Sequence, residues 1–389
     1  MPFVRLLLVL LALLATFPAQ AAAPRLASSP KGLTVHFFDV GQGDAALIRS
    51  PTGKTVLIDG GPPEAGKALA ARLRELVSEP LDLVILTHPH LDHLGGLDEA
   101  MRAVGARRYM DPGFDHPSEA YRNLLEFVGH EVEGQVMTPT PNPSAPHTLL
   151  SIGLGEGVTL TILWPRHPGE PFLTDTRSDA NSNSIVAKLT YGKTAVLFMG
   201  DAEPDTEKLL LGKPLDFSAT ILKVAHHGGR LSSTPKFLDA VKPQAAVISC
   251  ATGNEYGHPA PEVLQRLERV GSHVFRTDLH GEVVAVSNGT TFTLTTAQGR
   301  SAPTAVVGKV RPGPVALGVL PASGVVEAEP RREARTAALD VRFVSLKGSK
   351  VFHREDCSVL KRAKTKERTV YANRTAAERD RRPAEDCHP

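Results

Sequence analysis

The sequence predicts an α/β fold in which one large domain forms a layered sandwich of strands and helices. Between residues 32 and 294, many short apolar segments alternate with helical patterns. Several of the apolar segments run straight into histidine or aspartate. With 41% hydrophobic and 22% charged residues, the chain is neither collagen-like nor disordered in composition. Short strands with interspersed helices over such a length indicate a single α/β domain.

The predicted elements follow from apolar periodicity and from helix-start signals. Strands are expected at 33–38, 55–58, 83–86, 158–163, 184–190, 195–199, 220–224, 245–249, 283–286 and 291–294. Helices are expected at 66–78, 203–211, 233–241 and 261–270. Pro235 and Pro261 lie where a first-turn proline is tolerated, which supports the last two helices.

The first 21 residues resemble a cleaved secretory signal. One arginine precedes the unbroken apolar run 6–14, and Ala19-Gln20-Ala21 has the small-x-small pattern of a cleavage site. The alternative is an uncleaved anchor, but the run is short for a membrane span of about 20 residues. We therefore expect a secreted or periplasmic protein without stable membrane association, and no lipid anchor is indicated.

Residues 296–338 and 339–389 differ in composition from the domain before them. The first stretch is rich in alanine and proline and shows no persistent period, which predicts a linker. The second predicts a small basic module, because residues 331–389 carry 16 Lys and Arg against 9 Asp and Glu. A net charge of +2 for the whole chain hides this basic end.

The strongest chemical signal is the motif H-x-H-x-D-H at 88–93. His88, His90, Asp92 and His93 directly follow the apolar strand 83–86, so four side chains of metal-ligand type can converge at one strand end. Imidazole and carboxylate suit zinc and similar divalent ions. Two ions about 3.5–4 Å apart can activate a water and neutralise charge on phosphate. A histidine-rich polar loop is the alternative.

Two later strand ends add further candidates. Asp201 follows the apolar segment 195–199, where its carboxylate could bridge two ions or cap the following helix. His226 and His227 follow the segment 220–224. Each signal is weak alone, but the first motif favours a metal-binding interpretation for both.

Six motifs together resemble the metallo-β-lactamase fold, and within it the hydrolase domain of ComEC-type competence proteins. In chain order they are FDVGQGD at 38–44, IDGG at 58–61, THPHLDHLGG at 87–96, MGD at 199–201, KVAHHG at 223–228 and YGHP at 256–259. The resemblance covers residues 32–294 and implies an αββα sandwich. It also implies a metal centre at one edge of the two sheets.

The resemblance further implies residue roles. His88 and His90 would bind the first ion, Asp92 and His93 the second, and Asp201 would bridge them. One of the pair His226–His227 would complete the second site; we favour His226, with His227 facing the substrate. The expected catalytic residues are Asp92, Asp201, His227 and His258.

One departure from the fold's common pattern affects the first site. Many members have a further histidine on an intermediate strand, but His116, His130, His147 and His167 occur in no matching context. Asn183, Asp179 or water could fill the place. Such a site would bind manganese more readily, relative to zinc, than a site with all its histidines.

Other candidates support the centre or contact the substrate. His258 could donate to a phosphate oxygen or protonate a leaving group, or it could be a structural loop residue. Gln42, Asp44 and Asp59 are expected to orient the ligands by hydrogen bonds. Cys250 lies on an apolar strand and is expected to be a buried core thiol.

The terminal module resembles the small zinc-binding module of the Ada repair protein. His353, Cys357, Cys387 and His388 are the candidate ligands of a structural zinc. Ala384 stands at a position where the short form of this module commonly has a cysteine ligand. A Cys357–Cys387 disulfide is the alternative to zinc binding in an oxidising compartment.

The leading functional hypothesis is an exported hydrolase with two divalent ions, zinc or manganese, in which metal-bound hydroxide attacks a phosphodiester. DNA is the expected substrate, since the basic module could gather a polyanion by counterion release. The alternatives are a small-molecule hydrolase of the same fold, such as a phosphocholine esterase or lactamase-like enzyme, and a non-catalytic metal-binding protein. The sequence does not determine the oligomeric state.

Overall fold

A computed structural model describes most of the chain between residues 32 and 383. The described residues are 32–132, 136–140, 148–298, 303–310, 343–347, 349–354, 360, 367–371 and 381–383. The predicted signal at 1–21 lies outside them. No helix among these residues has the length and apolar character needed to cross a membrane.

The hydrolase-like body contains sixteen of the described strands. They are β1 (Leu33–Phe37), β2 (Ala46–Arg49), β3 (Thr55–Ile58), β4 (Leu83–Ile85), β5 (Tyr109–Met110), β6 (Val136–Met137), β7 (Ser151–Gly153), β8 (Val158–Trp164), β9 (Val186–Tyr191), β10 (Thr194–Phe198), β11 (Ile221–Lys223), β12 (Ala245–Ile248), β13 (His273–Arg276), β14 (Val283–Ser287), β15 (Thr291–Thr296) and β16 (Thr304–Val307).

Nine described α-helices accompany these strands. They are α1 (Gly66–Leu76), α2 (Leu91–Leu94), α3 (Leu97–Val104), α4 (Glu119–Glu131), α5 (Asp179–Ser182), α6 (Pro204–Leu211), α7 (Pro235–Val241), α8 (Pro261–Arg269) and α9 (Thr277–His280). Short 3-10 turns lie at Pro63–Ala65 and Ala225–Gly228.

The strands form two sheets that pack face to face. One has the order β16-β15-β14-β1-β2-β3-β4-β5-β6, and the other β13-β12-β11-β10-β9-β8-β7. Residues of both inner faces share one buried cluster, in which the rings of Phe37 and Phe198 lie 6.1 Å apart. The expected αββα sandwich is confirmed by the clusters that the helices form on the outer faces.

Alternation along single strands explains why continuous apolar runs form this sandwich. On β4, Leu83 and Ile85 belong to the cluster between the sheets. Val84 and the following Leu86 belong to the cluster under the helices of the outer face. Because neighbouring side chains on a strand point to opposite faces, a strand covered on both faces is apolar throughout.

Parallel pairing brings the ends of several strands to the same edge. In one sheet β3, β4, β5 and β6 are parallel. In the other, β10, β11, β12 and β13 are parallel. The loops that follow β4, β10, β11 and β12 therefore meet at the carboxyl ends of their strands, where α/β sheets commonly bind ligands.

The predicted linker 296–338 begins too early. β16 lies within it and pairs antiparallel with β15, adding an edge strand to the larger sheet. Val306 and Val310 are buried, whereas Val307 is exposed. A four-residue edge strand carries too little apolar pattern to be recognised beside the surrounding prolines. Residues 311–338 lie outside the described residues.

Several short elements were not predicted from the sequence, namely β2, α2, α3, β5, α4, β6, β7, α5, β13 and α9. Strands of two residues, such as β5 and β6, contain no period that a sequence pattern can reveal. Helix α4 does carry a start signal, since the side chain of Ser118 accepts a hydrogen bond from the backbone of Tyr121.

The terminal module contains a small sheet of its own. Its strands are β17 (Phe343–Leu346), β18 (Val351–Arg354), β19 (Arg368–Tyr371) and β20 (Arg382–Pro383), in the order β19-β17-β18-β20. His353 lies on β18 and is buried. Its expected partners Cys357, Cys387 and His388 lie outside the described residues.

A half-buried ion-pair group joins helix α1 to the larger sheet. Glu282 lies between His36 of β1 and Arg72 of α1. Its Oε1 is 2.7 Å from Nδ1 of His36, and its Oε2 accepts a hydrogen bond from Nε of Arg72 at 2.9 Å. Burial raises the pKa of Glu282, but hydrogen bonds from His36 and Arg72 outweigh it, and the pKa is lowered from 4.5.

We expect Glu282→Gln to lower the free energy of unfolding by about 1–2 kcal/mol at pH 7, since it weakens hydrogen bonds to a charged group. Because the folded-state pKa is the lower one, the stabilising effect is present above pH 4.5 and is lost as pH falls through the folded-state pKa. Urea unfolding of the variant and the wild type at pH 7 and at pH 3.5 measures the loss of stability and its dependence on pH. A difference between variant and wild type that grows on acidification would contradict this account.

Candidate metal centre

The candidate site lies where β4, β10 and β11 end. The segment after β4 carries His88 and His90, and the short helix α2 carries Asp92 and His93. Gly200 follows β10 with φ of +50° and turns the chain so that Asp201 is placed at the strand end. A Cβ at Gly200 would lie 3.0 Å from the Cβ atoms of Ser184 and Thr87, so this approach favours glycine.

The carboxylate of Asp201 is the centre of the site. It is 2% exposed, and four imidazole Nε2 atoms face its two oxygens. On the Oδ1 side, His93 lies at 3.2 Å and His227 at 3.6 Å. On the Oδ2 side, His88 lies at 3.7 Å and His226 at 3.8 Å. A carboxylate with a histidine pair at each oxygen can bridge two ions.

The residues on the Oδ1 side form a compact group. Ligand atoms of Asp92, His93, Asp201 and His227 all lie within 4.8 Å of one another. Asp92 Oδ2 is 3.2 Å from His227 Nε2. Among the described residues, His93 Nε2, His227 Nε2 and Asp201 Oδ1 are buried without a hydrogen-bond partner. Unsatisfied nitrogen and oxygen atoms that converge in this way fit a divalent ion such as zinc.

The geometry groups the histidine pair differently from the expected roles. The imidazole that joins Asp92 and His93 is that of His227, which is 1% exposed, and not that of His226. Both residues have left-handed backbone, with φ of 53°. Sequence patterns do not reveal this conformation, which directs the two neighbouring side chains to different oxygens of Asp201.

The residues on the Oδ2 side are less compact but are suited to a cation. His88 Nε2 lies 3.1 Å from His90 Nδ1. Burial, and then the positive charge of His93, hold the pKa of His88 well below its ordinary value. Burial also lowers the pKa of His90. Both rings are therefore neutral at pH 7, which is the form that binds metals.

Asp59 holds the first motif in place. Its Oδ2 lies 2.8 Å from His93 Nδ1, and its Oδ1 accepts a hydrogen bond from the backbone of Thr87 at 2.7 Å. The hydroxyl of Thr87 also donates to Oδ2. Carboxylates in this position orient metal-binding histidines and increase their basicity. The structure places Asp59 as predicted, while sequence reasoning missed Thr87.

Asp44 has a corresponding position behind His227. Its Oδ1 lies 3.3 Å from His227 Nδ1, and its Oδ2 lies 2.8 Å from the ammonium of Lys223, which is buried. Burial raises the pKa of Asp44, but Lys223 and His227 outweigh this and hold it far below its ordinary value. Lys223 was missed because a lysine on an apolar strand resembles an edge residue until its buried partner is known.

The side chain of Asn183, a candidate ligand, is engaged in local hydrogen bonds. Its side-chain oxygen accepts from the backbone of Leu173, and its amide donates to the carbonyls of Leu173 and Asp179. These bonds use both ends of the amide to hold the loop before β9. Asp179 also has a local role, accepting from the backbone and hydroxyl of Thr176.

His258 lies at the open side of the centre. Its ring centroid is 5.5 Å from that of His226 and 5.8 Å from that of Tyr256, which is 63% exposed. Burial, and then the charges of His226 and His227, lower the pKa of His258 to about 4. With this pKa the imidazole of His258 is neutral at pH 7 and can donate one hydrogen bond.

Gln42 has a positioning role in this region. Its side-chain oxygen accepts a hydrogen bond from the backbone of Ala251, which joins the loop after β1 to the loop after β12. Cys250 is buried as expected, and burial together with Asp278 raises its pKa to about 12. A thiol of this kind is protonated at neutral pH and is not a metal ligand.

Neighbouring carboxylates raise the pKa values of the two histidines on the Oδ1 side of Asp201. Burial lowers the pKa of His227, but Asp201 and Asp44 outweigh it and raise the pKa to about 10. The pKa of His93 is likewise held well above its ordinary value, chiefly by Asp201 and Asp59 against the effect of burial. A cation that binds here supplies the same positive charge and displaces those protons, so binding strengthens as pH rises.

Comparison with known proteins agrees with this geometry. The family model described as the metallo-beta-lactamase superfamily matches residues 38–252, which include every proposed ligand in the body. Recombination protein 2 of Haemophilus influenzae is 31% identical over 256 residues, covering 64% of this chain and 28% of that protein.

Two further relatives match a similar share of the chain. ComE operon protein 3 of Bacillus subtilis is 28% identical over 266 residues, covering 64% of this chain and 32% of the relative. Competence protein ComA of Neisseria gonorrhoeae is 29% identical over 248 residues, covering 64% and 31%. The matched region thus spans about a third of the length of these relatives.

Solved structures of the same fold include the metallo-beta-lactamase fold protein YhfI from Bacillus subtilis. It is 15% identical with a TM-score of 0.38, covering 63% of this chain and 96% of YhfI. The metallo hydrolase Igni18 from Ignicoccus hospitalis is 18% identical with a TM-score of 0.40, covering 64% and 98%. By its family match, its layered sheets and its converging histidines and aspartates, the chain belongs to the metallo-β-lactamase superfamily and carries a metal-dependent hydrolase fold related to that of competence proteins.

Proposed function

We propose that the protein is a dinuclear-metal phosphodiesterase that acts on DNA. The observation that carries the proposal is the position of Asp201, whose two oxygens each face a pair of histidines. A single structural ion needs one closed set of four ligands, whereas this arrangement provides for two neighbouring ions.

In the proposed hydrolysis, some residues would hold the ions and others would orient the residues that hold them. When bound, the two ions would supply Lewis acidity and would lower the pKa of a water ligand. Asp201 would hold both ions, and Asp92 would hold the ion nearer to His93 and His227. Asp59 aligns the ring of His93 through Nδ1, and the carbonyl of Ser249 aligns the ring of His227 in the same way, with the charge of Asp44 beside it.

Groups on the open side fit a phosphate with an attached base. The exposed Arg177 acts electrostatically on His258, so a cation and a neutral hydrogen-bond donor lie near each other. The exposed ring of Tyr256 beside His258 could stack on a base. The relatives named for competence and recombination support a nucleic acid as substrate.

Export by the segment 1–21 is part of the proposal. We expect mass spectrometry of the protein from its native host to find an N-terminus near Ala22. A full-length chain recovered with the membrane fraction would support the anchor alternative instead.

Asp201→Asn should lower turnover of DNA and of bis(p-nitrophenyl) phosphate by at least about 100-fold, because it weakens a ligand shared by both ions. The matched control is Asp205→Asn, the same substitution at an exposed position of α6, which should keep turnover near the wild-type rate. Chelator should abolish wild-type turnover, and Zn²⁺ or Mn²⁺ should restore it.

These measurements also separate the alternatives. Turnover of the chromogenic ester without cleavage of single- or double-stranded DNA would favour a small-molecule hydrolase. Wild-type turnover in folded Asp201→Asn, with folding checked by circular dichroism, would exclude the bridging role. A chain that binds two ions but hydrolyses neither substrate would favour a binding protein.

Truncation after Val310 should leave turnover of the chromogenic ester within about twofold, because the residues of the centre and strand β16 are retained. It should raise KM for long DNA and flatten its salt dependence, because removal of basic residues removes phosphate contacts. Steady-state kinetics at two or more salt concentrations measure both effects.

Loss of ester turnover on truncation would show that the terminal module supports the catalytic domain directly. Unchanged kinetics with both substrates would contradict a role for the module in DNA capture.

A further inference from the structure

We propose that His226 is a ligand of the ion on the Oδ2 side of Asp201, together with His88 and His90. This ion is called the first ion here, and the ion near Asp92, His93 and His227 is called the second. The inference rests on the proposed dinuclear centre. It assigns one histidine of the adjacent pair to each ion, in place of the intermediate-strand histidine that this chain lacks.

The distances to Asp201 divide the two histidines between the two ions. His226 Nε2 lies 3.8 Å from Oδ2, the oxygen that His88 Nε2 also faces at 3.7 Å. His227 Nε2 lies 3.6 Å from Oδ1, the oxygen that His93 faces at 3.2 Å. Two ligands of one zinc ion at about 2.0–2.2 Å from it lie roughly 3–4 Å apart. The observed separations are in this range.

The opposite ring nitrogen of each histidine has a similar environment. For His93, Nδ1 lies 2.8 Å from a carboxylate oxygen of Asp59. For His227, Nδ1 lies 3.0 Å from the backbone carbonyl of Ser249 and 3.3 Å from Oδ1 of Asp44. For His88, Nδ1 lies 3.1 Å from the hydroxyl of Thr87. For His226, Nδ1 lies 3.9 Å from Oε1 of the buried Glu203, which is ion-pair range. Metal-binding histidines commonly have an oxygen partner on the second nitrogen.

The backbone supplies an independent reason. His226 and His227 both have left-handed φ and ψ, at 53° and 45° and at 53° and 23°. A non-glycine residue in this region is strained. Main-chain bonds hold the turn, since His226 donates to Gly200 O at 3.1 Å and accepts from Gly229 at 2.7 Å. Strain of this kind clusters at functional sites. Here it directs two consecutive imidazoles to opposite oxygens of one carboxylate.

The other candidates for this place are less suitable. Asn183 and Asp179 are engaged in holding their loop, as described above. His116 is the remaining competitor, because its ring centroid lies 5.7 Å from that of His90. His88 and His226 each have a nitrogen atom within 4 Å of Oδ2.

This assignment changes the expected metal preference. With His226, the first site offers three imidazoles and one carboxylate oxygen, whereas the second offers two imidazoles and two carboxylates. A site rich in imidazole favours zinc over manganese. The first site should therefore prefer zinc more strongly than a site completed by an amide or water.

The test compares His226→Asn with His227→Asn and His116→Asn in the full mature chain. Asparagine tolerates left-handed backbone, so the first two variants should keep the turn while losing an imidazole. Calorimetric titration of chelator-stripped protein with Zn²⁺ and then Mn²⁺ gives the number and affinity of bound ions. The terminal module is the same in all variants, so differences report the centre.

We expect His226→Asn to weaken one zinc site by at least about 100-fold and to reduce its preference for zinc over manganese. His227→Asn should weaken the other zinc site, and the double variant should lose both. His116→Asn should bind both ions as the wild type does. With Co²⁺, His226→Asn should change the absorption of one ion only.

Results that differ from these expectations would each contradict one part of the proposal. Wild-type zinc affinity in His226→Asn together with a raised KM would show that His226 contacts the substrate. Loss of a zinc site in His116→Asn would assign the place to His116. A wild-type body that binds fewer than two ions would overturn the dinuclear proposal itself, whereas two tight ions in folded His226→Asn would overturn this inference alone.

Discussion

The buried charge of Asp201 is the constraint on which the centre depends. A carboxylate that is 2% exposed is costly unless positive charge or hydrogen bonds compensate it. Four imidazoles surround it. Burial raises the pKa of Asp201, but the charges of these imidazoles outweigh that effect and hold the pKa well below its ordinary value. Removing one partner from such a group leaves uncompensated charge, and this couples the loops after β4, β10 and β11 to one another.

A second layer of charged residues extends the same compensation outward. Asp59 accepts from the ring of His93. The ring of His227 donates to the backbone carbonyl of Ser249 and lies 3.3 Å from Asp44. Lys223 balances the charge of Asp44 from β11. Each of these residues lies at or beside the end of a buried strand, so packing between the sheets fixes the geometry of the ligands. A centre held by strand ends is positioned more accurately than one held by loops alone. The open side of the centre, with Tyr256 and Arg177, is by contrast exposed.

The sequence by itself determined the fold class and most of the ligand set. Apolar runs that end in histidine or aspartate predicted strands whose ends carry the centre, because backbone polar groups of such runs must pair in sheets. The motif at 88–93 is local, since all four side chains follow one strand. Asp59 and Asp44 were also recognised, although the geometry of their contacts was not.

Only the tertiary structure decided the contacts between segments distant in sequence. The order of His226 and His227 around Asp201 depends on two left-handed residues, and no pattern of residue types specifies them. Lys223 pairs with Asp44 only because β11 packs beside the loop that holds Asp44. The hydrogen bonds between the amide of Asn183 and the backbone of Leu173, ten residues earlier, likewise depend on the path of the loop. Strand β16 was hidden in a proline-bearing stretch because an edge strand gains its stability from the pairing partner, which the local sequence does not contain.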